Sequence, residues 1–328
     1  MPLNLPAPTQ VDRNGKLCHL ITLDGLTRET LESILDRARY HRQLERPGVS
    51  ASREAIFERA QSTSRSTVAT ALLFCEPSTR TRASFELAAW KLGHHVTNLE
   101  PDHSSLAKSE TIAETAATLE AMGFGFLVLR HGDSESALSL VRPLNRSLHC
   151  ISGGTGQWSH PSQGLLDLFT VCDHFPELGA LSVAIIGDIR HSRVARSTFV
   201  ALRLFGVRDI RLCAPPGLEP EPGEFPETGP YPLDDALRGV KLVITLRLQR
   251  ERMTGPLQLD LSHYSEAYGI TRERLKLCDP HVRLMHPGPV MPGVELASEL
   301  IESPFSLIRE QVRNGVLVRM AIFEELAG

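Results

Sequence analysis

No two of the six cysteines, at positions 18, 75, 150, 172, 213 and 278, stand in a C-x-x-C pair. Neither a zinc knuckle nor a disulfide framework is implied, and a reducing cytoplasm fits that usage. No apolar run approaches membrane-spanning length, and the stretch from Met1 to Gly15 lacks the apolar centre of a secretion signal. The basic excess that nucleic acid or an anionic membrane would call for is also missing. Lysines and arginines number 35 against 39 acids, a net charge of −4. Gly187-Asp188-Ile189-Arg190-His191-Ser192 follows a strand-like run but is not G-x-G-x-x-G, which argues against a dinucleotide. No glycine-rich loop carries a Walker lysine, and no His/Cys/Asp cluster has metal-ligand spacing. No cofactor and no metal is expected, and the compartment expected is the cytoplasm.

What the chain does have is alternation. Apolar runs at Leu181 to Ile186, Ile210 to Ala214, Leu242 to Leu246 and Val282 to Met285 read as buried strands, as do Thr67 to Leu73 and Phe124 to Leu129. Between such runs lie segments of helical spacing, among them Leu31, Ile34, Leu35, Ala38 and Ile112, Ala116, Leu119, Met122. This pattern predicts an α/β protein with parallel sheets covered by helices on both faces. At 328 residues the chain is long for one core. Two domains are therefore expected, each a central parallel sheet flanked by helices. Val316 to Phe323 reads as a closing helix. Pro215 to Pro232 breaks the rhythm: seven prolines and three glycines exclude a regular helix or central strand and predict a surface loop.

The most informative run is Phe74-Cys75-Glu76-Pro77-Ser78-Thr79-Arg80-Thr81-Arg82-Ala83-Ser84-Phe85-Glu86, between a strand-like and a helix-like segment. A helix start presents unspent backbone N–H groups and the positive end of the helix dipole. Ser78, Thr79 and Thr81 add hydroxyl donors, and Arg80 adds a planar fork able to grip an oxyanion with two bonds. Such a turn holds phosphate without a glycine-rich loop.

Other runs follow in order. They are Ser104-Ser105-Leu106-Ala107-Lys108-Ser109-Glu110-Thr111, Arg130-His131, His160-Pro161-Ser162-Gln163, Gly187-Asp188 with Arg193, Arg247 to Arg252, and His286-Pro287-Gly288-Pro289. With the Ser-Thr-Arg-Thr-Arg run, this set resembles the signature motifs of the aspartate and ornithine carbamoyltransferase family, from roughly Leu20 to the C-terminus.

The resemblance implies a carbamoyl-phosphate-binding domain over 1–160, with a C-terminal helix over 311–328 returning to it. It implies an amino-acid-binding domain over 161–310 and an active site in the cleft between the two. It puts Ser78, Thr79, Arg80 and Thr81 on the phosphate, and Arg130, His160 and Thr81 on the carbonyl oxygen. Gln163 and the backbone carbonyls of Pro287 and Gly288 would take the amide hydrogens. Ser104 and Lys108, on a flexible loop from Asp102 to Ser109, would reach the phosphate of a neighbouring subunit, which implies a homotrimer or higher. Arg80, Lys108, Arg130 and His160 would be the catalytic groups. The chemistry is apt: an amine attacks the carbonyl carbon as phosphate leaves, so cations are needed on the phosphate and donors on the oxyanion. A neutral His160 imidazole would serve by donating one N–H.

The later motifs choose the second substrate. Two carboxylates call for two arginine forks, and Arg193 and Arg247 each follow a strand-like run, where α/β sheets place ligand-binding loops. In the aspartate branch of the family, Arg193, Arg247 and Gln249 would hold the two carboxylates of L-aspartate. The product would be N-carbamoyl-L-aspartate, on the route to pyrimidines (UMP). The ornithine branch carries His-Cys-Leu-Pro where this chain has His286-Pro287-Gly288-Pro289, and Cys278 lies upstream of it. Another amine remains an alternative, as does a catalytically weak relative acting as a scaffold or regulatory partner. A regulatory chain or a dihydroorotase-like protein is a further possible partner. Four departures from the family pattern stand out: Met291-Pro292 where Asn-Arg is common, Ser109 where glycine is, Thr155 where aspartate is, and the proline-rich 215–232 stretch where the segment is normally more regular.

Overall fold

The computed structural model describes residues 10–45, 68–141, 147–252 and 260–328. Residues 1–9 and Thr67, on which parts of the sequence reading fall, lie outside that set. The chain divides into two compact units. Among the described residues, one comprises those up to Leu166 together with Arg313–Gly328, and the other comprises those of Asp167–Val312.

The first unit runs α1 (Arg28–Leu44), β1 (Ala69–Phe74), α2 (Thr79–Lys91), β2 (His95–Leu99), α3 (Ile112–Ala121), β3 (Phe126–His131), α4 (Ser134–Val141) and β4 (His149–Thr155). Its four strands form one parallel sheet in the order β2-β1-β3-β4. Ala71, Leu73, Leu127 and Leu129 from the two central strands pack with Ala116 and Leu119 of α3 and with Trp158. Burial on both faces explains why β1 and β3 read as continuous apolar runs. β2 is half-exposed along its length, and β4 carries Gly153 and Gly154 at its end. Neither gave an apolar run, and the sequence reading missed both.

The second unit begins within α5 (Pro161–His174). It continues through β5 (Ser182–Ile186), α6 (Arg193–Leu204), β6 (Asp209–Cys213), α7 (Leu233–Leu237) and β7 (Leu242–Thr245). After these come α8 (Leu261–Tyr268), α9 (Arg272–Leu275), β8 (Arg283–Met285) and α10 (Ser298–Ile301). Its sheet is again parallel, in the order β6-β5-β7-β8. Ala184, Ile186, Val243 and Leu284 form its centre against Leu237, Leu275 and Leu300.

The closing helix α11 (Ile308–Ala327) is longer than the apolar run that announced it. Its last part belongs to the first unit for a visible reason. Phe323 meets Phe126 edge-on at 5.0 Å and Phe85 at 6.0 Å, and buried Arg319 lies 4.9 Å over the Phe85 ring. Arg319 also donates to the Ser162 hydroxyl at 3.3 Å.

No helix or strand forms over 215–232, as the prolines require, yet this loop is strapped to α6. Arg190 pairs with Glu221 and Arg196 with Glu224, Arg203 donates to the Pro226 carbonyl at 3.1 Å, and Phe225 packs on Phe199 at 5.0 Å. Among the described residues no helix is long and apolar enough to cross a membrane.

Candidate active site

Strand order decides which loops meet. In the first sheet the chain leaves β1 toward β2 on one side and β3 on the other, so the carboxyl ends of β1 and β3 bound a topological switch point. The Ser78–Thr81 turn follows β1, and Arg130 lies in register with Phe74 near the end of β3. Ser78 is the N-cap of α2 but makes no side-chain capping bond, so that helix start keeps N–H groups for a ligand. Arg80 is exposed, and Thr81 is buried. The Ser84 hydroxyl donates to the carbonyls of Arg80 and Thr81 at 2.6 and 3.0 Å, closing the first turn.

Arg130 is held from two sides. Its Nη1 donates to the Gly153 carbonyl at 3.1 Å, and its Nε lies 3.4 Å from Glu76 Oε2. Strand β4 ends in a turn in which Thr155 N–H donates to the Ser159 carbonyl, delivering His160 to the start of α5. His160 and Gln163 are both buried there, and Gln163 N–H donates to the His160 carbonyl at 2.9 Å. Thr155 is itself buried with its hydroxyl 2.7 Å from that of Ser152.

The Asp102–Ser109 segment, expected as a flexible loop, contains parts of two short 3-10 turns, Pro101–His103 and Ser105–Lys108. The Ser104 hydroxyl donates to the Pro101 carbonyl at 2.9 Å and accepts from Leu106 N–H at 3.3 Å. Lys108 is exposed at the end of the second turn. Ser109 closes it in the left-handed region at φ +75°, where glycine would fit without strain.

The second unit repeats the logic. The loops after β5 and β7 bound its switch point, with Leu246 N–H donating to the Ile186 carbonyl. Arg193, expected just past a strand, is the buried first residue of α6. Arg247 is half-buried and follows β7 closely. Gln249 is drawn inward: its side-chain nitrogen donates to the His191 carbonyl at 2.9 Å, and its backbone N–H to Asp188 at 3.1 Å. Asp188 also accepts from His191 Nδ1 at 2.8 Å. These bonds lock the two switch-point loops together.

Beyond β8, the His286–Pro289 turn is internally braced. His286 Nδ1 accepts from Gly288 N–H at 2.8 Å, which assigns the ring proton to Nε2. The His286 backbone N–H donates to Gln311, whose amide donates to buried Asp167. Pro287 and Gly288 are half-buried.

Glu76, Asp188, His191 and Glu295 received no role from sequence reasoning. The available signal was an acid placed among apolar neighbours, as in Val294-Glu295-Leu296. Burial raises the pKa of Glu295, opposed by hydrogen bonds from backbone N–H groups and by the Arg247 charge. Among the described residues no His/Cys/Asp/Glu group has the arrangement of a metal site.

Residues 18–173 match the family model described as the aspartate/ornithine carbamoyltransferase carbamoyl-P binding domain, and residues 180–326 match its Asp/Orn binding domain. The chain belongs to the aspartate/ornithine carbamoyltransferase family. A relative from Stenotrophomonas maltophilia (strain K279a), named aspartate carbamoyltransferase catalytic subunit, is 43% identical over 97% of this chain and 99% of its own length. The family fold is shared with ornithine carbamoyltransferase from Thermus thermophilus (TM-score 0.77, 25% identity, 95% and 99% of the two chains). It is shared equally with the catalytic subunit of M. jannaschii aspartate transcarbamoylase (TM-score 0.74, 26% identity, 94% and 98%). Backbone likeness therefore does not separate the two branches of the family, and side chains must.

Proposed function

We propose that this protein transfers the carbamoyl group of carbamoyl phosphate to L-aspartate, giving N-carbamoyl-L-aspartate and phosphate. The observation that carries the choice of aspartate is the placement of Arg193 and Arg247 at the two loops of one switch point. Two guanidinium forks suit two carboxylates, and the cysteine expected of the ornithine branch is absent from the His286–Pro289 turn. The 43% identity to a protein named for the aspartate reaction supports the same reading.

In this reading the aspartate amine attacks the carbonyl carbon, forming the new C–N bond through a tetrahedral intermediate. The C–O bond to phosphate then breaks, and phosphate departs with the proton released by the amine. Ser78, Thr79, Arg80 and Thr81, with Ser104 and Lys108, neutralise the departing phosphate. Arg130, His160 and Thr81 donate to the oxyanion. Gln163 and the carbonyls of Pro287 and Gly288 orient the carbamoyl amide, while Arg193, Arg247 and Gln249 hold aspartate. Residues 1–160 with 311–328 serve carbamoyl phosphate and 161–310 serve aspartate.

We further propose a cytoplasmic homotrimer or larger assembly with Lys108 acting in a neighbouring chain's site. Its place is in pyrimidine synthesis, with a regulatory chain or a dihydroorotase-like protein as possible partner.

A colorimetric assay of ureido products across a panel of amines tests the function. Aspartate is expected to be carbamoylated far faster than ornithine or any other amine. Preference for ornithine would replace the reading, and inactivity with every amine would leave a scaffold or regulatory role.

A further inference from the structure

The loop from Gly187 to Ser192 joins β5 to α6 and delivers Arg193, and a second arginine of α6 grips its backbone. Arg196 Nη1 donates to the Ser192 carbonyl at 3.1 Å and to the Ile189 carbonyl at 3.4 Å, and its Nη2 donates to the Arg190 carbonyl at 3.0 Å. Three carbonyls of this loop thus converge on one guanidinium. The carbonyl between them, that of His191, accepts from Gln249 and Arg252. The remaining edge of the Arg196 guanidinium is met from outside the loop, its Nε donating to Glu224 of the proline-rich stretch. The two side chains of this pair are only 13% and 19% exposed.

The proline-rich stretch reaches the same loop by separate bonds. Arg190 N–H donates to the Leu218 carbonyl at 2.9 Å, and the Arg190 side chain pairs with Glu221. Glu221 N–H donates in turn to Glu224 at 3.2 Å. Leu218 is buried in one cluster with Leu248, which stands between Arg247 and Gln249 in the chain.

Cations at a helix start oppose the helix dipole, yet α6 opens Arg-Val-Ala-Arg with no acid in its first turn. Glu224 brings the missing negative charge from another segment. The planar fork of an arginine brings the geometry, since an ammonium is a point charge without fixed donor directions. We infer that Arg196, braced by Glu224, is a positioning residue for the amine substrate: it fixes the Ile189–Ser192 backbone and so the point from which Arg193 projects. This inference rests on the functional reading above and gives the proline-rich stretch a part in it.

Because loop, helix and brace all lie in the second unit, their loss should weaken the amine substrate and spare carbamoyl phosphate. Arg196→Lys keeps the charge beside Glu224 but gives up the grip on the carbonyls. It should melt close to wild type by circular dichroism and still raise the aspartate KM about fivefold or more, with the carbamoyl-phosphate Kd by calorimetry within about twofold of wild type. Arg196→Gln should raise KM further, and Glu224→Gln should raise it by less. If Glu224 acts through Arg196, the double variant with Arg196→Gln should have nearly the KM of Arg196→Gln alone. An arginine that only held the fold together would lower the melting temperature and leave the KM of the folded protein unmoved.

Three results would overturn the inference: a folded Arg196→Lys or Glu224→Gln protein with wild-type KM, an equal loss of carbamoyl-phosphate affinity, or fully additive effects in the double variant. Should Arg196→Gln prevent folding, Arg196→Lys carries the KM split and Glu224→Gln tests the brace by itself. The amine panel on wild type separates failure of this inference from failure of the functional reading. A wild type that prefers another amine corrects the reading alone, and the KM split is then measured on that amine.

Discussion

Arg130 and Glu76 face each other across 3.4 Å at the carboxyl ends of the adjoining strands β3 and β1. The sheet register creates this pair, and with the Gly153 carbonyl it gives the guanidinium two fixed partners before any ligand arrives. Preorganised donors of this kind do not have to reorient as charge develops. Glu76→Gln should therefore lower turnover by roughly tenfold while leaving the fold intact. Steady-state kinetics beside a thermal melt would decide, and an unchanged rate would mean that the Gly153 carbonyl alone suffices.

Arg80→Ala removes the charge proposed above to stabilise the departing phosphate. Turnover should fall by ~10²–10³, as for loss of one transition-state donor, with the melting temperature little changed because Arg80 is exposed. Near-normal turnover would remove the basis of the phosphate assignment.

Mixing two inactive variants tests whether the site is shared between chains. Arg80→Ala and Lys108→Ala proteins, each nearly inactive, should regain activity when unfolded and refolded together. Random equimolar mixing should restore on the order of a quarter of the wild-type rate, because a pocket is intact only when its Arg80 comes from a Lys108→Ala chain and its Lys108 from an Arg80→Ala neighbour. Sedimentation should give a trimer or larger. Exchanged oligomers without activity would show that Lys108 acts in its own chain or not at all.

Ser109 occupies the left-handed region at φ +75°, which disfavours a residue with a Cβ by about 1–2 kcal/mol. Ser109→Gly should therefore stabilise the Lys108 turn modestly, raising the melting temperature by about 2–4 °C. Ser109→Val should lower it. The order of the three proteins in a calorimetric scan is the check.

His94 gives stability a pH dependence. Its ring stacks on Phe126 at 5.4 Å and bonds the Thr70 hydroxyl at 2.9 Å, and burial lowers its pKa from 6.5 to about 4. Between those values the unfolded chain binds a proton that the folded protein does not, so stability falls as pH drops from about 6.5 to about 4 and levels off below. Burial lowers His149 in the same direction. Urea titrations of His94→Gln across this range should show a pH slope shallower by up to about one proton. A slope equal to that of wild type would mean that His94 protonates in the folded state as readily as in the unfolded one.

Much of the fold was legible because its cause is local. β1, β3, β5 and β7 are buried on both faces, so each reads as an apolar run wherever it sits. The strand–turn–helix passage around Ser78–Thr81 was legible for the same reason, since a strand, a hydroxyl-rich turn and a helix start are contiguous in the chain. The prolines of 215–232 excluded regular structure by themselves, but they did not announce the arginine straps that hold that loop to α6 and to the turn before it.

Tertiary structure alone decided the rest. β2, half-exposed, and β4, with Gly153 and Gly154 near its end, became strands by pairing with β1 and β3. The pairing of Arg130 with Glu76 required β1 and β3 to be neighbours. The closing of the Arg193 and Arg247 loops by Asp188 and Gln249 joins residues 61 apart in sequence, and the Glu295 tie to Leu248 joins residues 47 apart. No periodicity reports such partners. Their contact follows from strand order and register, which are set by how the whole sheet buries its apolar faces and not by any one segment of the chain.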